Sequence, residues 1–169
     1  ILKMDKEVEK WMGKIEKMKK GEFDLSGDED LSIALMNLIS LEEHFYFTAL
    51  KTKNQKYFDF LLEIRELRKK FLKKIVVNPV GEEWCISKHL LAASMRLYEV
   101  GCKELSKSGV EEAENYFKAG FDLWSLFFAI NLKLIGVEEI EKSALEKEGK
   151  KMGKFSALMK KIINCCKEW

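Results

Sequence analysis

Along most of this chain apolar residues return every three or four positions, the period of a helix with one face turned to a core. Met4, Val8, Trp11, Met12, Ile15 and Met18 share a face and predict a first helix over residues 4–20, ended by Gly21. Ser26 followed by Glu29 has capping-box spacing, so a second helix is expected from about Asp28 to Thr52. Beyond the polar turn Lys53-Asn54-Gln55, a third helix is defined by Tyr57, Phe60, Ile64, Leu67, Phe71 and Ile75. Its lysines gather toward the C-terminal end, where the helix dipole favours them.

Val77-Asn78-Pro79-Val80-Gly81 is the clearest break in the pattern. A fourth helix is expected over 82–106, closed by Lys107-Ser108-Gly109, and a fifth over 110–134. The fifth is the most aromatic, with Tyr116, Phe117, Phe121, Trp124, Phe127 and Phe128. Residues 137–148 are charged and weakly amphipathic; Met152, Phe155, Met159, Ile162, Cys166 and Trp169 then form a stripe on a lysine-rich helix. The pattern predicts an all-α, up-down helical bundle in one domain spanning 1–169. Four long helices over 28–134 form its core, with an N-terminal helix at 4–20 and a C-terminal helical extension at 137–169.

Composition agrees with that class. Apolar residues make up 47% of the 169 positions and charged residues 34%, a folded and not a disordered balance. A single proline, Pro79, argues against a sheet-and-turn architecture. The 30 basic and 28 acidic residues are well mixed, so nucleic acid is an unfavoured partner, lacking a one-sided basic excess to attract it. Leu123 to Leu132, the most apolar stretch, is too short to cross a bilayer. The N-terminal residues carry no apolar run of the signal-peptide kind, and Cys85, Cys102, Cys165 and Cys166 lack C-x-x-C spacing. The expectation is a cytoplasmic protein with reduced thiols.

Helical wheels place several polar side chains toward the core. Glu42 falls in the middle of the apolar arc of Leu31, Leu35, Leu38, Phe45 and Ala49, where an isolated carboxylate is costly and must be paired, neutralised or bound to a cation. Arg68 lies between Ile64, Phe71 and Ile75, and Asn131 lies near the apolar centre of the fifth helix. The chain has only three arginines, Arg65, Arg68 and Arg96, amid many lysines, and planar multi-donor geometry suits arginine to a buried carboxylate. A hairpin about Asn54 brings Glu42 level with residues 64–68. A structural pair with Arg68 or Arg65 is therefore expected, with Arg96 as a competing partner.

Cys85, His89, Ala92, Arg96 and Lys103 share one side of the fourth helix, at the edge of its apolar face. Cys85 and His89, four residues apart, suit one metal ion, with Glu42 as a third ligand across the bundle and zinc or iron as the metal. The competing reading is a hydrogen-bonded core histidine. His44 stands on another side of the second helix with Asn37, Ser40 and Thr48, a row that reads equally as a solvated stripe or as a contact face.

No phosphate-binding loop, dinucleotide fingerprint or nucleophile elbow occurs. The R-x(4–6)-H motif of small helical ribonucleases of the HEPN type is also missing, since no histidine follows an arginine at that distance. The sequence therefore reads as a binding module with no catalytic signature. The expected partner is a protein or a second copy of the chain, met by the aromatic face of the fifth helix or by the C-terminal helix. The alternative is a metal- or small-ligand-binding bundle with its site inside the core.

Overall fold

The computed structural model describes residues 6–19, 25–135, 153–154 and 156–160. Among them there are helices and no strand: α1 (Lys6–Lys19), α2 (Ser26–Thr52), α3 (Lys56–Ile75), α4 (Glu83–Lys107) and α5 (Val110–Asn131), with residues 153–154 and 156–160 also helical. The charged stretch 137–148, Met152, Phe155, Ile162, Cys165, Cys166 and Trp169 lie outside the described residues.

Local chemistry explains most of the boundaries. Helix α2 begins at Ser26 itself, one position earlier than a capping box requires; Leu25 occupies the N-cap and its carbonyl accepts from the Glu29 N–H at 2.9 Å. At the other end Lys53 adopts a left-handed conformation, and Asn54 Oδ1 accepts from the Lys56 N–H at 3.1 Å, turning the chain into α3. Helix α5 ends three residues sooner than its apolar pattern suggests. Lys133 is left-handed there, and the Leu134 N–H reaches back to the Ala129 carbonyl at 2.9 Å.

The helices pack as two close pairs, α2 along α3 and α4 along α5, with α2 meeting α4 between them. Small residues set the distance between α4 and α5. The inner face of α4 is Ser87, Leu91, Ser94 and Gly101. Ser94 Oγ donates to the Gly120 carbonyl at 2.8 Å, and a Cβ on Gly101 would stand 2.6 Å from the Phe117 ring. The larger residues Ile86, Leu97 and Val100 are only partly buried.

The core lies toward one end of the molecule. Val8, Trp11 and Ile15 of α1, Leu35 and Met36 of α2, Leu72 and Ile75 of α3, Leu91 of α4 and Trp124 to Ile130 of α5 share one cluster. Leu158 and Met159 join it, and Ser156 Oγ donates to Asp122, so the described C-terminal residues pack on α5. Trp124, Phe127 and Phe128 meet edge to face, and the indole N–H of Trp124 donates to Ser32 Oγ at 2.8 Å. Trp124, Phe127 and Phe128 of the aromatic face of α5 are thus buried core, while Tyr116, Phe117 and Phe121 stay partly exposed. Toward the other end the two pairs part: from Asn37 to Leu67, only Ala49 is buried.

A second polar tie closes the core end. The Glu83 carboxylate is buried, accepts from the Val80 N–H at 2.9 Å and is paired with the Lys133 ammonium. Burial pushes its acidity down, but the Lys133 ammonium and the Val80 N–H outweigh burial and hold its pKa below the ordinary carboxylate value. A carboxyl with a lowered folded pKa contributes stability that is present above its unfolded pKa and lost as pH falls through the folded one. Urea midpoints measured from neutral to acid pH should therefore fall less for Glu83→Gln than for the wild-type chain. Identical slopes would show that this carboxylate carries no such linkage.

Candidate functional site

Helices α2 and α3 bring three of the predicted polar residues together. Arg68 is 2% exposed and holds the Glu42 carboxylate with two donors, Nε to Oε1 at 2.7 Å and Nη2 to Oε2 at 3.2 Å. Arg65 adds a longer contact to Oε2 at 3.5 Å from the exposed side. A guanidinium stays charged at any working pH, so its burial requires this carboxylate. Glu42 itself is 13% exposed, at the margin of the core and not at its centre.

Arg96 and Asn131 are not part of this group. Arg96 is exposed and pairs with Glu43, at 2.5 Å, bridging α4 to α2 on the surface. Asn131 is half-buried and donates to Ser87 Oγ at 3.0 Å and to the Phe127 carbonyl at 2.8 Å, joining the ends of α4 and α5. The expected network is therefore three separate polar contacts.

The structure does not assemble the Glu42–Cys85–His89 metal set. Cys85 and His89 are both exposed, and both oxygens of Glu42 are engaged by arginine. No three His, Cys, Asp or Glu side chains stand together to hold a metal ion among the described residues. Helix α5 lies against the serines and glycine of α4 and not against its larger apolar residues. That choice rotates Cys85, His89 and Arg96 outward.

Where the helix pairs part, two adjoining recesses open between α2 and α4. The first, of about 670 Å³, reaches α5 and is lined by Met36, Met95, Phe117, Phe121 and Trp124, with Ile33 and Tyr98 half-exposed at its edge. The second, of about 590 Å³, is lined by Ser40, Glu43, His44, Phe47 and Arg96. Asn37, Met95 and Glu99 belong to both, so the recesses form one cleft, apolar at depth and polar at the mouth. Asn37, Ser40 and His44 of the polar row on α2 line this cleft. The depth of the cleft left little trace in the sequence, because its walls come from three helices.

The outward side of α3 offers a different surface. Phe60 and Leu67 are 46% and 40% exposed, and Tyr57, Ile64 and Phe71 between and beside them are half-buried. No protein-family model, curated protein or solved structure matches the chain. Among the described residues no helix is long and apolar enough to cross a membrane.

The Glu42–Arg68 geometry has a measurable consequence. Glu42→Ala strands a buried guanidinium and should cost about 3–5 kcal/mol of unfolding free energy. Arg96→Ala breaks an exposed pair and should cost less than about 1 kcal/mol. Equal losses in chemical denaturation would contradict this ranking.

Proposed function

We propose that this chain is a binding module that associates with a second copy of itself through the edge of α3 at which Phe60 and Leu67 are exposed. Residues 1–169 are read as one domain, with α2 to α5 as an up-down-up-down core and α1 and the C-terminal helical residues covering its end. The observation that carries the proposal is the seam on α3. Tyr57, Phe60, Ile64, Leu67 and Phe71 are spaced alternately by three and four residues, the repeat by which one helix packs along another. Tyr57 and Phe60 meet Phe45 of α2 and Phe71 packs on the core, which leaves the exposed edge at Phe60 and Leu67 for a partner. Leu72 and Ile75 are buried on the side toward the core, while Phe60 and Leu67 remain exposed.

Charge selects a second copy as the occupant. Glu63 and Lys70 are exposed beside the seam, seven residues apart, and neither has an ion-pair partner among the described residues. An antiparallel α3–α3 contact with its two-fold axis near Leu67 sets Glu63 of each copy opposite Lys70 of the other, so the surface is self-complementary.

Sedimentation across a range of concentrations tests the reading. The wild-type chain should approach twice the mass of one chain, and Phe60→Lys/Leu67→Lys should remain single with unchanged helical circular dichroism. Glu63→Lys should weaken association and the charge swap Glu63→Lys/Lys70→Glu should restore it. A single-chain mass at every concentration, or association indifferent to these substitutions, would overturn the proposal.

A further inference from the structure

The α2–α4–α5 cleft carries an inference that is independent of self-association. Its floor is apolar and deep: Met36, Met95, Phe117, Phe121 and the Trp124 indole. The indole N–H is already committed to Ser32, so the ring presents carbon and a π face, not a donor, to the recess. Gly120 also lines the recess, where it lets α5 lie close against the α4 backbone at Ser94. The floor therefore suits an aromatic or branched alkyl body.

The mouth is selective in charge. Glu43 is neutralised by Arg96, which removes one carboxylate and the one guanidinium from the account. Glu99 lines both recesses, is half-buried, and holds no hydrogen bond or ion pair among the described residues. Lys103, one helical turn on, is exposed and is not paired with it. Asn37 spends its Nδ2 on the Ile33 carbonyl at 3.0 Å, which leaves its Oδ1 as a second acceptor. The mouth thus offers the unpaired Glu99 carboxylate and the Asn37 Oδ1 as acceptors beside an apolar pocket. That combination is complementary to a donor-rich cation.

We propose that this cleft binds an amphiphilic amine, its aromatic or branched alkyl body over Trp124 and its ammonium against Glu99. The volume of the apolar recess, about 670 Å³, accommodates an arylalkylamine with room for a larger body. Glu99 supplies charge recognition, Asn37 accepts from the ammonium, and the sulfur-containing side chains of Met36 and Met95 adapt to the shape of the body.

Calorimetric titration with three probes of matched length tests the site: 4-phenylbutylamine, 4-phenylbutanol and 5-phenylpentanoate. The amine is expected to bind about tenfold more tightly than the alcohol, and more tightly still than the acid. Glu99→Gln should remove that preference while leaving the alcohol unchanged. Ile33→Trp, at a half-exposed position on the edge of the recess, should abolish binding of all three without altering the fold, as checked by circular dichroism. In nuclear magnetic resonance the Trp124 indole proton should shift on amine binding. Failure of all three probes to bind, equal binding of amine and acid, indifference to Glu99→Gln, or amine binding that survives Ile33→Trp would each overturn the proposal.

Discussion

The close approach of α4 and α5 is the constraint from which the rest of the molecule follows. It depends on having almost nothing between the two helices: Ser94 reaching the Gly120 carbonyl, and Gly101 under the Phe117 ring. Once that distance is set, the large side chains of α5 must point elsewhere, and Trp124, Phe127 and Phe128 turn into the core shared with α1 and α2. Bulk gathers toward one end, and there α2 packs against α4 and α5 through buried side chains. The cleft at the other end is the space that this asymmetric packing leaves open.

Helix α3 belongs to the fold through α2, and Arg68 is the point of attachment. A buried guanidinium held by two donors to one carboxylate tolerates few alternative registers, because a shift along α2 by one residue carries Glu42 off the contact. Hydrophobic contact alone would be more permissive. The aromatic contacts of Phe45 with Tyr57 and Phe60 continue the same alignment toward the tip of the hairpin. The pair thus acts as a register pin whose net contribution to stability is smaller than the damage done by breaking it.

How far the sequence could be read depended on what kind of contact each residue makes. Helix positions followed from apolar spacing, and the Glu42–Arg68 contact followed from two charges on facing arcs of a hairpin whose turn was legible at Asn54. The orientation of α4 did not follow, because ranking a face by hydrophobic bulk favours Ile86 and Leu97 over Ser87, Ser94 and Gly101. Close helix packing inverts that ranking. The same rotation leaves Cys85, His89 and Arg96 exposed and apart from Glu42. The Ser26 cap failed for a more local reason, since the chain enters helical geometry at Leu25 before the serine is reached. The cleft was illegible because no single helix encodes it; Asn37 and His44 show only a polar stripe until α4 is placed opposite.

The uneven distribution of buried residues has a thermodynamic consequence along the length of the hairpin. Ala49 is the one buried position between Asn37 and Leu67, while Arg68, Leu72 and Ile75 anchor the same pair of helices at the core end. Opening free energy is drawn from the contacts that must be broken, so backbone amides near the hairpin tip exchange with solvent through small local openings, and those beside Leu72 or Phe127 only when the whole domain unfolds. One end of the molecule is rigid and the other compliant. Ordering the hairpin tip therefore costs conformational entropy that the core end has already lost.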